Sequence, residues 1–248
     1  MSLKNLYVAA IETATRAASV AVCNEDKFTE ITQDSKLTHS ETLLPQFKEV
    51  LAMANVNREM IDAIAVSIGP GSFTGLRIGL AAAKALAYAW NVKIIGVPTL
   101  HALAYHFPYS TVMPMIDAQK NRAYVQIFQK LQPVTDIEIL GIDEAINKAA
   151  SFAESSQSEV IICGDVCHKI KSLPESVKIA SINMRMPRAV NVALCGRDLL
   201  NSGKIGNVMN IEPMYIRRSE AEVLWEKRNS DISKEGNDNV LSNAINNS

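Results

Sequence analysis

Residues 6–23 read Leu6-Tyr7-Val8-Ala9-Ala10-Ile11-Glu12-Thr13-Ala14-Thr15-Arg16-Ala17-Ala18-Ser19-Val20-Ala21-Val22-Cys23: an apolar run, a polar turn and a second apolar run. That pattern predicts a hairpin of two strands, 6–11 and 17–23. Asn24-Glu25-Asp26 offers another turn, and the alternation over 28–32 a third antiparallel strand nearer the sheet edge. The same grammar returns at residue 111, with a run over 111–116, a polar turn over 117–121 and a run over 123–128. The acidic residue closing the first strand recurs too, as Glu12 in one half and Asp117 in the other. A third strand near 136–140, a helix near 143–153, a strand over 160–163 and later helical segments complete a weaker second copy. The expectation is an α/β chain of two related lobes, 4–106 and 107–228, with mixed sheets flanked by helices. Residues 229–248, rich in Asn, Ser and Asp, are expected to form a disordered tail.

Within the first copy, Leu43, Leu44, Phe47, Val50, Leu51 and Ala54 follow a helical period after a capping-box candidate, Thr38 to Glu41. Pro45 leaves two starts open: near Thr42, or near His39 with a bend at the proline. A buried strand follows over 61–68, then a helix over 73–90 with Asn91 at its end. A strand over 92–97 and a short helix capped by Thr99 and running to His106 lead out of the lobe.

Between strand and long helix stands Ser67-Ile68-Gly69-Pro70-Gly71-Ser72-Phe73-Thr74-Gly75-Leu76-Arg77-Ile78-Gly79-Leu80. Glycines at a helix start suit a phosphate cradle, yet neither Gly-Lys-Ser/Thr nor Gly-x-Gly-x-x-Gly is present. Gly75, Gly79, Ala83 and Ala87 recur at every fourth position and make a small-residue stripe that another backbone can approach closely. Spacing leaves two occupants open, this lobe's own sheet or a helix of another chain.

Gly69, Pro70, Gly71, Ser72, Thr74, Gly75 and Arg77 make this segment similar to the signature of the TsaB (YeaZ) family. The resemblance extends to His39-Ser40-Glu41-Thr42-Leu43-Leu44-Pro45, Gly96-Val97-Pro98-Thr99-Leu100, Asp117-Ala118 with Tyr124, and Pro213-Met214-Tyr215-Ile216-Arg217-Arg218. It implies a duplicated actin-like and Hsp70-like fold. It also implies a non-catalytic subunit paired with a homologous catalytic subunit, TsaD, which transfers threonylcarbamoyl to adenosine 37 of tRNAs reading codons that begin with A. An ATPase, TsaE, is the implied third partner, and tRNA is met through the assembly. Self-association of the lone subunit is implied through the first-lobe helices, with Leu43, Leu44, Phe47, Leu51, Gly75, Leu76, Gly79, Ala83 and Leu86 as candidate interface residues. One departure is the turn Glu12-Thr13-Ala14-Thr15, where the family more typically carries an Asp-Thr-Ser-Thr-like turn. The longer Glu12 weighs against ATP-type metal chemistry there.

Bulk properties agree with a globular protein: 48% hydrophobic and 21% charged residues, net charge −1. The overall basicity that grips a polyanion is missing. No span of about 18 apolar residues and no leader-like start is read, so a cytoplasmic protein without a membrane partner is expected. Cys23, Cys163, Cys167 and Cys195 show no disulfide or metal-knuckle spacing and are expected as reduced, mostly buried thiols. His101 and His106, five apart, point about 140° apart on a helix, which does not suit a shared metal. Asp117 is expected to cap its hairpin turn, and Arg217 and Arg218 to be a solvated basic pair. No metal, cofactor or catalytic residue is expected. The competing reading is an active enzyme of the same fold, a small-molecule kinase or a metalloprotease-like protein.

Overall fold

A computed structural model describes residues 6–33 and 39–216. The expected cap at Thr38, the pair Arg217 and Arg218 and the tail over 229–248 lie outside the described residues.

The opening apolar runs become strands because nearly every side chain in them is buried: β1 (Tyr7–Glu12), β2 (Ala18–Cys23) and the half-exposed edge strand β3 (Phe28–Gln33). After α1 (His39–Ala54) come β4 (Ile61–Gly69), α2 (Phe73–Trp90), β5 (Lys93–Pro98) and α3 (Thr99–Ala104). Helix α1 starts at His39 and takes Pro45 into its second turn. Helix α2 is capped by Ser72, whose hydroxyl accepts from the Gly75 N–H at 3.2 Å, and closes on left-handed Asn91. Thr99 is the first residue of α3, not its cap, and its buried hydroxyl has no hydrogen-bond partner.

The second copy consists of β6 (Thr111–Asp117), β7 (Arg122–Val125), β8 (Phe128–Gln129), β9 (Gln132–Pro133), β10 (Glu138–Gly141), α4 (Ile142–Ser156), β11 (Val160–Cys163) and β12 (Val177–Ile179). The expected single strand over 123–128 is divided into β7 and β8. Opposite the break β6 carries Pro114, which has no N–H for the ladder. Helix α5 (Ala189–Asn201) follows.

The duplication is visible in the strand order. The first sheet runs β3-β2-β1-β4-β5 and the second β10-β7-β6-β11-β12, with β8 and β9 added beside β6. In both, the first three strands are antiparallel and the last two are parallel to the first. A glycine with positive φ closes β4, Gly69 at +112°, and another follows directly on β11, Gly164 at +125°. This repeated order is the duplication that the sequence pattern leads us to expect.

Side-chain alternation sets the layers. Ala9, Ile11, Val20, Val22, Ile64 and Val66 face α1 and α2, burying Leu43, Phe47, Val50, Leu80, Ala83 and Ala87. Val8, Ala10, Ala21, Ala63 and Ala65 face the other way and meet α5 through Ala189, Val192, Ala193 and Cys195. Thus α5 covers the first sheet, although its residues fall in the expected second-lobe span 107–228. The small residues explain this: a Cβ on Gly196 would lie 2.6 Å from the Ala65 Cβ, so helix and sheet are in near-backbone contact. The α5 N-terminus is fastened to the same lobe, with the Ala189 N–H donating to Ser19 Oγ at 2.8 Å and the Val190 N–H to Glu30 Oε1 at 3.0 Å. The second sheet packs on α4 through Met113, Met115, Val125, Val160 and Ile162 against Ile142, Ala145, Ala149 and Ala153. The described residues up to Met214 form one compact unit.

Candidate functional site

The glycine-rich segment meets the turn between β1 and β2. The Ser72 N–H donates to the Ala14 carbonyl oxygen at 2.7 Å, and Thr13 Oγ1 donates to the Gly75 carbonyl oxygen at 2.7 Å. Every glycine on this side is needed for the approach. A Cβ at Gly71 would run into the Ala14 carbonyl, one at Gly75 into the Thr13 carbonyl and one at Gly79 into the Thr13 hydroxyl. The place read as a possible phosphate cradle is therefore filled by the protein's own turn.

Glu12 sits at the centre of this contact and is fully buried. Its Oε1 accepts the Ala14 N–H at 2.5 Å, and its Oε2 accepts the Ser67 hydroxyl. Burial pushes its carboxyl up to about 7, against the opposing pull of the Ser67 and Ala14 hydrogen bonds. Glu12 thus ties together the ends of β1 and β4 and the intervening turn, and its side chain is out of contact with solvent.

This packing answers the open question about the small-residue stripe. Gly75, Gly79, Ala83 and Ala87 all face this lobe's own β1, turn and sheet. Of the candidate interface residues, Leu43, Phe47, Gly75, Leu76, Gly79 and Ala83 are interior, so a docking partner cannot reach them in this structure. The reason is that α2 needs its small face to come close enough to Thr13. Leu51 and Leu86 are half-buried, and Leu44 alone of the set is exposed, at 52%. The faces that α1 and α2 turn outward carry Leu44, Lys48, Ala52 and Met53 on one helix and Thr74, Arg77, Ala81, Ala85 and Tyr88 on the other. Met53 and Tyr88 are 63% and 77% exposed. These outward small and apolar residues have a helical period of their own, i, i+4, which the stronger glycine stripe obscures in the sequence.

The remaining ionisable residues have separate occupations. Asp117 caps its turn, accepting the Gln119 N–H at 3.0 Å, and pairs with Lys169 at 2.9 Å. The three residues of that turn, Gln119, Lys120 and Asn121, all have positive φ. Asp165 accepts the Asp117 N–H at 2.9 Å, and burial, more than the nearby Asp117 charge, raises its carboxyl. His101 Nε2 lies 3.0 Å from the Leu131 carbonyl oxygen and His106 Nε2 3.1 Å from that of Met186, so the two rings serve different segments. Burial lowers both histidines. All four cysteines are buried, and burial holds Cys23 and Cys167 up to about 11 and Cys195 up to about 12. Among the described residues no group of three or more His, Cys, Asp or Glu is arranged to hold a metal ion. No described helix is long and apolar enough to cross a membrane.

A family model described as TsaD: tRNA N6-adenosine threonylcarbamoyltransferase matches residues 31–225. The Haemophilus influenzae protein named tRNA threonylcarbamoyladenosine biosynthesis protein TsaB is 27% identical, over 91% of this chain and 98% of its own. The Escherichia coli K12 protein of the same name is 28% identical, over 90% and 98%. YeaZ from Pseudomonas aeruginosa, a solved structure, shares the fold with a TM-score of 0.70 at 21% identity, over 85% of this chain and 100% of that one. With the model spanning most of the chain and the TsaB proteins aligning almost end to end, the chain belongs to the TsaD family of tRNA N6-adenosine threonylcarbamoyltransferases, on its TsaB (YeaZ) side.

Proposed function

We propose that this chain is a subunit in tRNA threonylcarbamoyladenosine biosynthesis. In this reading it is the non-catalytic scaffold that holds the catalytic paralogue TsaD, with the ATPase TsaE joining, for transfer to N6 of adenosine 37 in tRNAs reading A-starting codons. The names of the Haemophilus influenzae and Escherichia coli relatives support the pathway. The observation that carries the scaffold role is the filled strand-end site. The first acidic residue is spent on Ser67 and Ala14, and the glycine-rich segment that could cradle phosphate is packed on Thr13 and Ala14. These contacts support a structural role for the strand end and for the glycine-rich segment packed on it.

What the lobe does present is the outward face of α1 and α2, with Leu44, Met53, Ala81, Ala85 and Tyr88 accessible. Exposed alanines allow a partner helix to come close, and two helix faces of this length suit a specific interface of about 800 Å² per partner. We assign this face to pairing with the catalytic paralogue and to self-pairing when that paralogue is absent.

The test is reconstitution with purified tRNA, the activated threonylcarbamoyl donor, the paralogue and the ATPase. The chain alone should transfer nothing, and the paralogue should gain activity when it is added. Transfer or ATP turnover by the chain alone would instead establish the competing reading, an enzyme of this fold.

A further inference from the structure

At the carboxyl ends of β4 and β5 lies a cleft of about 640 Å³. One wall is the β8–β9 hairpin; another is the end of α5 with the segment that follows it, whose Gly206 N–H donates to the Ile94 carbonyl oxygen at 2.9 Å. Parallel strands of α/β sheets hold ligands beyond their carboxyl ends, and the volume is that of a small-molecule site. Ile68 and Leu199 are half-buried apolar residues of the lining, and Gln132 and Asn210 are exposed polar ones. Among the described residues, the ionisable ones in the lining are Lys204 and His101, and none in the lining is acidic. The imidazole is preset, with its Nε2 at the Leu131 carbonyl oxygen and its ring stacked on Phe128 with centroids 5.3 Å apart. Asp198 and Lys204 are the charged groups whose fields reach it, and Asp198 is engaged by the Tyr105 hydroxyl at 2.9 Å.

We propose that this cleft binds a small organic anion, a carboxylate or phosphate monoester. Lys204 meets the charge, Gln132 and Asn210 the polar body, and Ile68 and Leu199 the apolar part. The site is separate from the helix face assigned to subunit pairing, so its failure leaves that assignment standing, and the reverse holds.

The test titrates phenyl phosphate and benzoate separately into the full chain, with benzyl alcohol as the neutral counterpart. The His101 ring signals, assigned by their loss in His101→Asn, are followed by NMR. At least one anion should give a saturable shift with a Kd below about 1 mM, with benzyl alcohol about tenfold weaker or more. Whichever anion saturates identifies the charged group recognised. Lys204 is exposed, so Lys204→Met should keep the wild-type melting temperature while weakening the anion about tenfold. The proposal is overturned if neither anion moves the His101 signals. Equal binding of benzyl alcohol, or undiminished anion binding by the folded Lys204→Met protein, overturns it as well.

Discussion

The Thr13 hydroxyl donates to the Gly75 carbonyl oxygen at 2.7 Å and at the same time occupies the space a side chain on Gly79 would need. One residue of the β1–β2 turn therefore sets how closely α2 lies against β1. Adding a methyl at Gly79 sets the helix-propensity gain of about 1 kcal/mol against a collision with that hydroxyl, and the collision should win by about 1–3 kcal/mol. Thr13→Ala removes the obstructing atom, leaving Ile11 Cγ2 and the retained Cβ of residue 13, both at 3.4 Å, as the next neighbours of the added methyl, and by itself loses one hydrogen bond, about 1 kcal/mol. The Thr13→Ala/Gly79→Ala protein should then be more stable than the sum of the single effects by about 1–2 kcal/mol, read from urea denaturation of the four proteins. Strict additivity would mean that the two residues do not constrain each other. Gly79→Arg, which on a partner-facing stripe would report docking, here reports folding.

Glu12 makes stability depend on pH in a direction opposite to an ordinary paired carboxylate. Its folded-state value is raised from 4.5 to about 7, so between those values the folded state holds a proton that the unfolded chain has released. Stability should fall as pH rises through that window and level off above it. Glu12→Gln can still accept from the Ala14 N–H and donate to Ser67 Oγ without charging. It should flatten the dependence and stabilise the protein by about 1–3 kcal/mol at about pH 8. A wild-type midpoint that climbs from about pH 5 to about pH 8 would contradict this assignment.

Burial separates the two halves of the expected interface. Leu44→Asp and Ala85→Arg change exposed positions of α1 and α2 and should leave stability within about 0.5 kcal/mol. Both should abolish co-elution with the catalytic paralogue. Phe47→Asp, at a position 4% exposed, should instead leave too little folded protein to assay, because an unpaired charge enters the core. Normal co-elution of Ala85→Arg would move the pairing surface elsewhere.

Glu30 joins the edge strand to α5. Its side chain is 2% exposed, and it accepts from the Arg188 guanidinium and from the Val190 N–H. Replacement by alanine leaves a helix-start N–H and a half-buried guanidinium without their acceptor, at about 2–3 kcal/mol. Hydrogen exchange should accelerate over residues 189–201 before it does so in β1 and β4. Uniform acceleration would show that α5 does not open separately from the sheet.

The duplicated α/β grammar could be read from the chain because it rests on local rules. Apolar runs of strand length, the polar turns at Glu12 and Asp117, the helical period of Leu43 to Ala54 and the end at Asn91 each act over a few residues, and they placed the opening three strands and α2 within a residue or so. The glycine spacing likewise announced a close approach, since glycine every fourth residue in a helix is costly without one. What approaches was decided only in three dimensions, because Thr13 and Gly75 are 62 residues apart and nothing local distinguishes a neighbouring turn from a neighbouring chain. The same holds for α5, whose apolar face suits either sheet by period alone. Its lodging on the first was settled by Gly196 against Ala65 and by Ser19 and Glu30 at its N-terminus. Local periodicity specifies which face of an element is apolar; which surface that face meets depends on side-chain volumes and hydrogen-bond partners brought together from distant parts of the chain.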